Sequence, residues 1–251
     1  MFQWGVVGQY LFSGIFINAA WTTLWISVVA QASGVVIGLF LALMRMSRVP
    51  FVSWPARFYI WLFRGSPLLV QILILFDGLP QVFPNLTQFL SAYVCVLLAL
   101  SLNEGAYMAE IIRAGITSVD AGQMEAAKSL GMRYALAMRR IVLPQAARVV
   151  VPPLGNEFNN MLKTTSLASV IGLLELTGTA TVDGSQNFII FELLIVATFY
   201  YLVLTSLWGY VQNWIENRMD PNRTTKYEVI GNRGFAMRMI GLGSPNNSGV
   251  R

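Results

Sequence analysis

Glu104 stands in the segment LSLNEGAYMAE, inside a run of apolar residues, where a carboxylate is poised for electrostatic work. A charge held at such a depth in a bilayer costs about 3 kcal/mol on insertion scales, so it should face a bundle interior or a water-filled path. Two roles are open to it: a contact to a ligand's amino group or cationic side chain, or a packing role paired within the bundle and hydrogen-bonded to Asn103 and its neighbours. Glu110 and Arg113, one turn further on at i and i+3, are spaced for a boundary ion pair. A second polar step, KTTSLAS at 163–169, interrupts another apolar stretch. If a helix restarts there, Thr165 or Ser166 caps it and its amides favour a carboxylate; otherwise the hydroxyls satisfy their own backbone at a bend. Asn103, Glu104, Thr165 and Ser166 are therefore the candidates for a ligand path.

Catalysis within this chain is not expected. Histidine, the commonest general base and metal ligand, is absent, and the single cysteine, Cys95, lies in an apolar run where packing is its simplest role. No metal cluster or disulfide framework can be assembled from this set, and no GxxxxGK[ST] loop cradles a nucleotide. Basic residues are not interleaved with aromatics in a patch, so nucleic acid is not an expected partner.

The elements that must hold these residues are membrane helices. Hydrophobic residues make up 55% of the 251 residues and charged residues 12%, and the first charged side chain is Arg45. That length permits about five or six spans of roughly 20 residues. Apolar runs fall near 21–44, 57–76, 87–108, 160–180 and 188–214; the fourth, with Lys163, Thr164, Thr165 and Ser166, reads as a broken or oblique helix. Residues 1–20 read as an extracytoplasmic segment lying on the bilayer, with a partial sixth span as the alternative, 21–216 as one membrane domain with a loop at about 117–150, and 217–251 as a polar cytoplasmic tail. Gly34 and Gly38 form a small-xxx-small packing face. All 17 Lys and Arg fall in three blocks, Arg45 to Arg64, Arg113 to Lys163 and Arg218 to Arg251, while the intervening loops carry Asp77 and Asp183. With five spans these blocks share one side, cytoplasmic by the positive-inside rule, with the N-terminus outside and the C-terminus inside. No basic residue precedes the first apolar run, which is long enough to span, so removal as a secretory leader is not expected.

The basic loop contains EAAKSLGMRYALAMRRIVLP at 125–144. Asp120 is placed to cap a helix with Gln123 three residues on, in a capping-box-like pattern, and Gly131 to end it in the left-handed conformation. Ala126 and Ala127 leave a flank bare enough for another protein to approach, which marks a docking element.

Glu125, Ala126, Ala127, Gly131, Ile141, Leu143 and Pro144 match the EAA signature, and the chain resembles the permease subunits of bacterial ABC importers. LNEGAYMAEIIRAGI at 102–116, Gly122 and Gln123, PPLGNEFNNMLKTTSLASVIGLLELTG at 152–178 and FRGSPLLVQ at 63–71 are similar to the polar amino acid uptake branch. Thr164 stands where that branch usually has an acidic residue. The resemblance implies an all-α, polytopic fold of the type I importer class in the bacterial inner membrane, with about five transmembrane helices and a cytoplasmic EAA coupling helix. It implies coupling through Gln123, Glu125, Ala126, Ala127, Gly131 and Pro144 to a pair of ABC ATPase subunits, which would bind the ATP and Mg; this chain would bind no cofactor. The remaining implied partners are a second permease subunit, identical or paralogous, an extracytoplasmic solute-binding protein, membrane lipid and a polar amino acid. A non-transporting scaffold or sensor that recruits an ATPase, or an importer of another small solute, is the alternative.

Overall fold

Serines and prolines punctuate the apolar runs, and in the computed structural model, which describes residues 2–219, they mark where helices start and bend. A short helix α1 (Trp4–Leu11) precedes Ser13, whose Oγ accepts from Phe16 N at 3.5 Å and opens α2 (Gly14–Met46). Pro50 opens α3 (Pro50–Gly65), and Ser66-Pro67 ends it. There follow α4 (Leu68–Leu73), a π turn over Ile74–Gly78 and α5 (Leu79–Val82). Ser91 Oγ accepts from Val94 N at 3.4 Å at the start of α6 (Ala92–Thr117). Beyond it lie α7 (Ala121–Ser129), α8 (Tyr134–Ala137), a second π turn over Met138–Val142, and α9 (Leu143–Thr164). The chain then tightens into 3₁₀ turns over Thr165–Ile171 before α10 (Leu176–Asn187) and α11 (Ile190–Met219). Each π turn stands just ahead of a proline, Pro80 or Pro144, whose missing N–H and ring bulk open the preceding turn.

Three helices, α2, α6 and α11, are each long and apolar enough to cross a membrane, and two bent pairs raise the number to as many as five. The first long helix begins at Gly14, seven residues before the expected apolar run. Residues 4–11 form a separate helix too short to span, tied to α11 where Gln3 N donates to Glu192 Oε1 at 3.0 Å and Tyr200 Oη to the Leu11 carbonyl at 2.7 Å. The apolar run over 57–76 is not one straight helix: α3 meets the segment Leu68–Val82 at 104°, so the two cannot both follow the membrane normal. The signal was in the Gly65-Ser66-Pro67 break. Carbonyls freed at that bend are taken up by side chains, as an apolar environment requires: Gln71 Nε2 donates to the Phe63 and Ser66 carbonyls at 3.0 and 3.1 Å, and Asn103 Nδ2 donates to the Phe63 carbonyl at 2.9 Å. The expected break near 160–180 is present, as a 42° bend between the α9 segment and α10. The expected tail begins three residues inside α11, and residues 220–251 lie outside the described residues.

At the centre is α6, 61% buried along its apolar window against 22% for α11. Its closest neighbour is α2, and Gly34 and Gly38 set their separation: a Cβ on Gly34 would lie 2.5 Å from Glu104 Cγ, and one on Gly38 would collide with Met108 Cβ. Cys95 belongs to the core shared by Ile26, Ile72, Val96, Leu100 and Met161. A second core joins Phe16 of α2 to Leu176 and Ala180 of α10 and Leu193 and Val196 of α11.

One buried carboxylate holds that second region together. Glu175, fully buried, caps α10 by accepting from Thr177 N at 3.0 Å and Gly178 N at 2.7 Å, and it also accepts from Tyr201 Oη of α11 at 2.6 Å. Replacing it by alanine orphans two helix-start amides and leaves the Tyr201 hydroxyl with Thr177 Oγ1 at 3.1 Å. Glu175→Ala is expected to cost about 3 kcal/mol, read as a large fall in thermal midpoint of the detergent-solubilised protein; an unchanged midpoint would show that the cap is dispensable.

Candidate functional site

The loop after α6 folds as a helical hairpin, for local reasons. Asp120 Oδ1 accepts from Gly122 N at 2.6 Å, and Gln123 N donates to the Asp120 carbonyl at 3.1 Å. The start of α7 is thus capped by Asp120, but the reciprocal side-chain bond expected of Gln123 is not made; its side chain is exposed. Gly131 has φ +78°, and the helix ends in a Schellman arrangement, with Met132 N donating to the Ala127 carbonyl at 3.0 Å and Gly131 N to the Lys128 carbonyl at 2.9 Å. Glu125 and Ala126 are exposed on α7. Ala127 departs from the expected bare flank: it is buried, on a helix that meets both α8 and the π turn after it. Pro144, at the start of α9, closes the π turn that returns the hairpin towards the bundle. Leu130 and Tyr134 were not singled out by the sequence, yet they stand 83% and 61% exposed on this polar hairpin. Exposed apolar side chains so placed are characteristic of interaction surfaces.

Between α6 and α9 lies a half-open cavity of about 530 Å³. Positions 100, 103, 104 and 107 of α6 line it from one side and 157, 160, 161 and 164 of α9 from the other. Both sets follow i, i+3, i+4, i+7, so each is one helical stripe. The expected Asn103 and Glu104 are here. Asn103 is also committed to the bend between α3 and α4, through Phe63 and through Gln71 Oε1 at 3.2 Å. Glu104 is 5% exposed, beside Gly34 and Gln31, and its Oε1 has no hydrogen-bond partner, a costly state that invites a donor. Glu157, Asn160, Lys163 and Tyr107 complete the polar lining. None of these was predicted, although NEFNNMLKTT carries the stripe at helical spacing.

Of the two local parts open to Thr165 and Ser166, the structure shows the bend and not the helix start. The backbone runs from α9 into 3₁₀ turns without a fresh helix start, Thr165 is fully buried with its Oγ1 donating to the Leu162 carbonyl at 2.9 Å, and the Ser166 carbonyl accepts from Ser169 Oγ at 2.7 Å. The Thr165 and Ser169 hydroxyls serve their own backbone, and the cap of the next helix comes from Glu175. Neither residue lines the cavity, whereas Lys163 and Thr164 do. The expected pair of Glu110 and Arg113 is formed, at 3.1 Å, and Glu110 is also paired with Arg45. Among the described residues no group of His, Cys, Asp and Glu is arranged to hold a metal ion.

Comparison with known proteins places these features in a family. The model of the binding-protein-dependent transport system inner membrane component matches residues 34–221. The octopine transport system permease protein OccM of Rhizobium radiobacter is 45% identical over 206 residues, 80% of this chain and 84% of its own length. The arginine transport system permease protein ArgU of Corynebacterium glutamicum is 40% identical over 233 residues, 89% of this chain and 74% of its own. A crystal structure of an amino acid ABC transporter with histidines is similar at a TM-score of 0.80 and 40% identity, covering 87% of this chain and 99% of that one. The methionine ABC transporter MetNI, at 14% identity and a TM-score of 0.65, shares the fold. With three quarters of its length inside the family model and relatives of this similarity, the chain belongs to the binding-protein-dependent inner membrane components, the permease subunits of ABC transporters.

Proposed function

We propose that this subunit carries a polar amino acid inward through the cavity between α6 and α9, driven by ATPase subunits that dock on α7. The observation that supports this reading best is the cavity itself: a buried acid with an unpartnered oxygen, Glu104, in a polar hollow that also contains Glu157 and Lys163. Acids on one part of the wall and a lysine on another suit a zwitterion, with its amino group towards the carboxylates and its carboxylate towards Lys163. The chain has no phosphate-binding loop, so ATP and Mg would be held by the partner ATPases, against the exposed Glu125 and Ala126 and the Gly131 exit. A second permease subunit would complete the path, and an extracytoplasmic binding protein would deliver the solute.

Reconstitution tests the reading by omission. Vesicles holding this subunit, its ATPase and any paralogous permease, supplied with binding protein, should take up amino acid only when every component and ATP are present. A scaffold or sensor would move no solute under any combination. Orientation is tested separately: cysteines placed near Asp77 or Asp183 should react with an impermeant reagent from outside intact cells, and cysteines near Arg133 or Arg140 only after the membrane is opened. The reverse labelling would overturn both the topology and the inward direction.

A further inference from the structure

Four arginines converge where α2 ends, where α3 runs across the bundle and where α6 nears its end. Arg45, Arg57 and Arg64 border a hollow of about 520 Å³ floored by Glu110 and edged by Trp61, and Arg45 and Arg57 also border a second hollow, of about 380 Å³, with Arg113. Glu110 answers only part of this charge: it pairs with Arg45, with Arg113 at 3.1 Å and more distantly with Arg64 at 3.8 Å. One carboxylate against four guanidinium groups leaves a strong excess of positive charge. Arg57 has no carboxylate within ion-pair distance among the described residues, and it is exposed to both hollows. Such an arrangement attracts an anion.

The chemistry next to the hollow says which anion. On the outer face of α3, Phe51, Trp54, Phe58 and Trp61 are all exposed; Trp54 stacks on Phe58 at 5.9 Å between ring centroids, and Trp61 lies tilted against Phe58 at 5.7 Å. At the start of the same helix Pro50, Phe51, Trp54 and Pro55 enclose an apolar pocket of about 260 Å³. The 104° bend after Gly65 turns α3 away from the direction of the segment that follows it, as suits a helix lying in the interface. Aromatic rings at headgroup level beside a cluster of basic residues are what an anionic lipid meets at a membrane surface.

We propose that the arginine-lined hollow between α2, α3 and α6 binds the headgroup phosphate of an anionic membrane phospholipid, with an acyl chain lying along the aromatic face of α3. The site is distinct from the solute cavity, although Tyr107 borders both and Arg64 lies over its ring at 5.3 Å. A free phosphate would use the arginines and leave the aromatic shelf unused.

Native mass spectrometry of the full-length subunit, exchanged in detergent against phosphatidylglycerol or phosphatidylcholine, tests this. The wild-type protein should retain phosphatidylglycerol in clear preference. Arg57→Gln should reduce that preference roughly fivefold, the scale of one basic residue at an anionic surface, while Arg57→Lys should keep it. Arg140→Gln removes a charge from the hairpin, outside the hollow, and should change nothing. Equal retention of the two lipids overturns the proposal, as does an equal loss in Arg140→Gln, which would mean diffuse surface charge, or displacement of the lipid by millimolar inorganic phosphate, which would mean a simple anion site.

Discussion

Gly131→Val is expected to abolish solute uptake while leaving the subunit folded and inserted. The reason is backbone conformation alone, since a Cβ on Gly131 would meet nothing within 4 Å. At φ +78° a β-branched residue is strained by about 1–3 kcal/mol, so the helix exit should rearrange and release the bonds from Met132 N and Gly131 N. Glu125 and Ala126 would then present a different surface to the ATPase. Uptake should fall more than about tenfold, a loss of over 1.4 kcal/mol in coupling, with membrane abundance near wild type. Gly131→Asn, which tolerates the left-handed region, should retain part of the activity. Glu125→Arg should fail through charge instead, and only changes on the ATPase should rescue it. Normal transport by Gly131→Val would remove α7 as the coupling element.

Glu104→Gln is expected to weaken apparent solute affinity by roughly tenfold or more, the 1.5 to 3 kcal/mol scale of a charge-assisted hydrogen bond. The structure separates this from a packing effect. Glu104 Oε1 has no partner to lose, and the neighbouring Gln31 Oε1 is also unsatisfied, so an amide at 104 has an acceptor available and stability should hold. Transport of a panel of amino acids by vesicles, alongside the thermal midpoint, divides the two roles. Unchanged affinity and preference would take Glu104 off the list of solute contacts, and a fall in stability without an affinity change would make it a packing residue.

What the sequence revealed depended on how local each device is. The cap at Asp120 and the stop at Gly131 need only a few consecutive residues, so both were legible and both formed, apart from the side-chain bond of Gln123. Glu104 was legible because a lone acid in an apolar run is costly wherever the run lies. The fate of Ala127 was not: whether a small residue faces a partner or its own hairpin depends on α8, which folds back from beyond the Gly131 turn. The bend between α3 and α4 was hidden by the apolarity of 57–76, and its repair by Gln71 and Asn103 joins residues 32 apart that no local pattern connects. Thr165 and Ser166 left two readings open because hydroxyls suit both a helix cap and a bond back to the preceding turn. The deciding fact, that the chain tightens into 3₁₀ turns and restarts only after Glu175, is set by packing against Thr23 and Tyr201. Glu157, Asn160 and Thr164 could have been found by following the helical stripe, while Lys163 stood in the polar step already marked.

Concentrative uptake tests the central claim most directly. Vesicles containing the complete assembly are loaded with ATP on the side of the EAA hairpin and given labelled amino acid and binding protein on the other. The account predicts accumulation well above the outside concentration, abolished when Gly131→Val replaces the wild-type subunit. Equilibration to the outside level, or uptake that proceeds without ATP, would contradict an ATP-driven importer coupled through this hairpin.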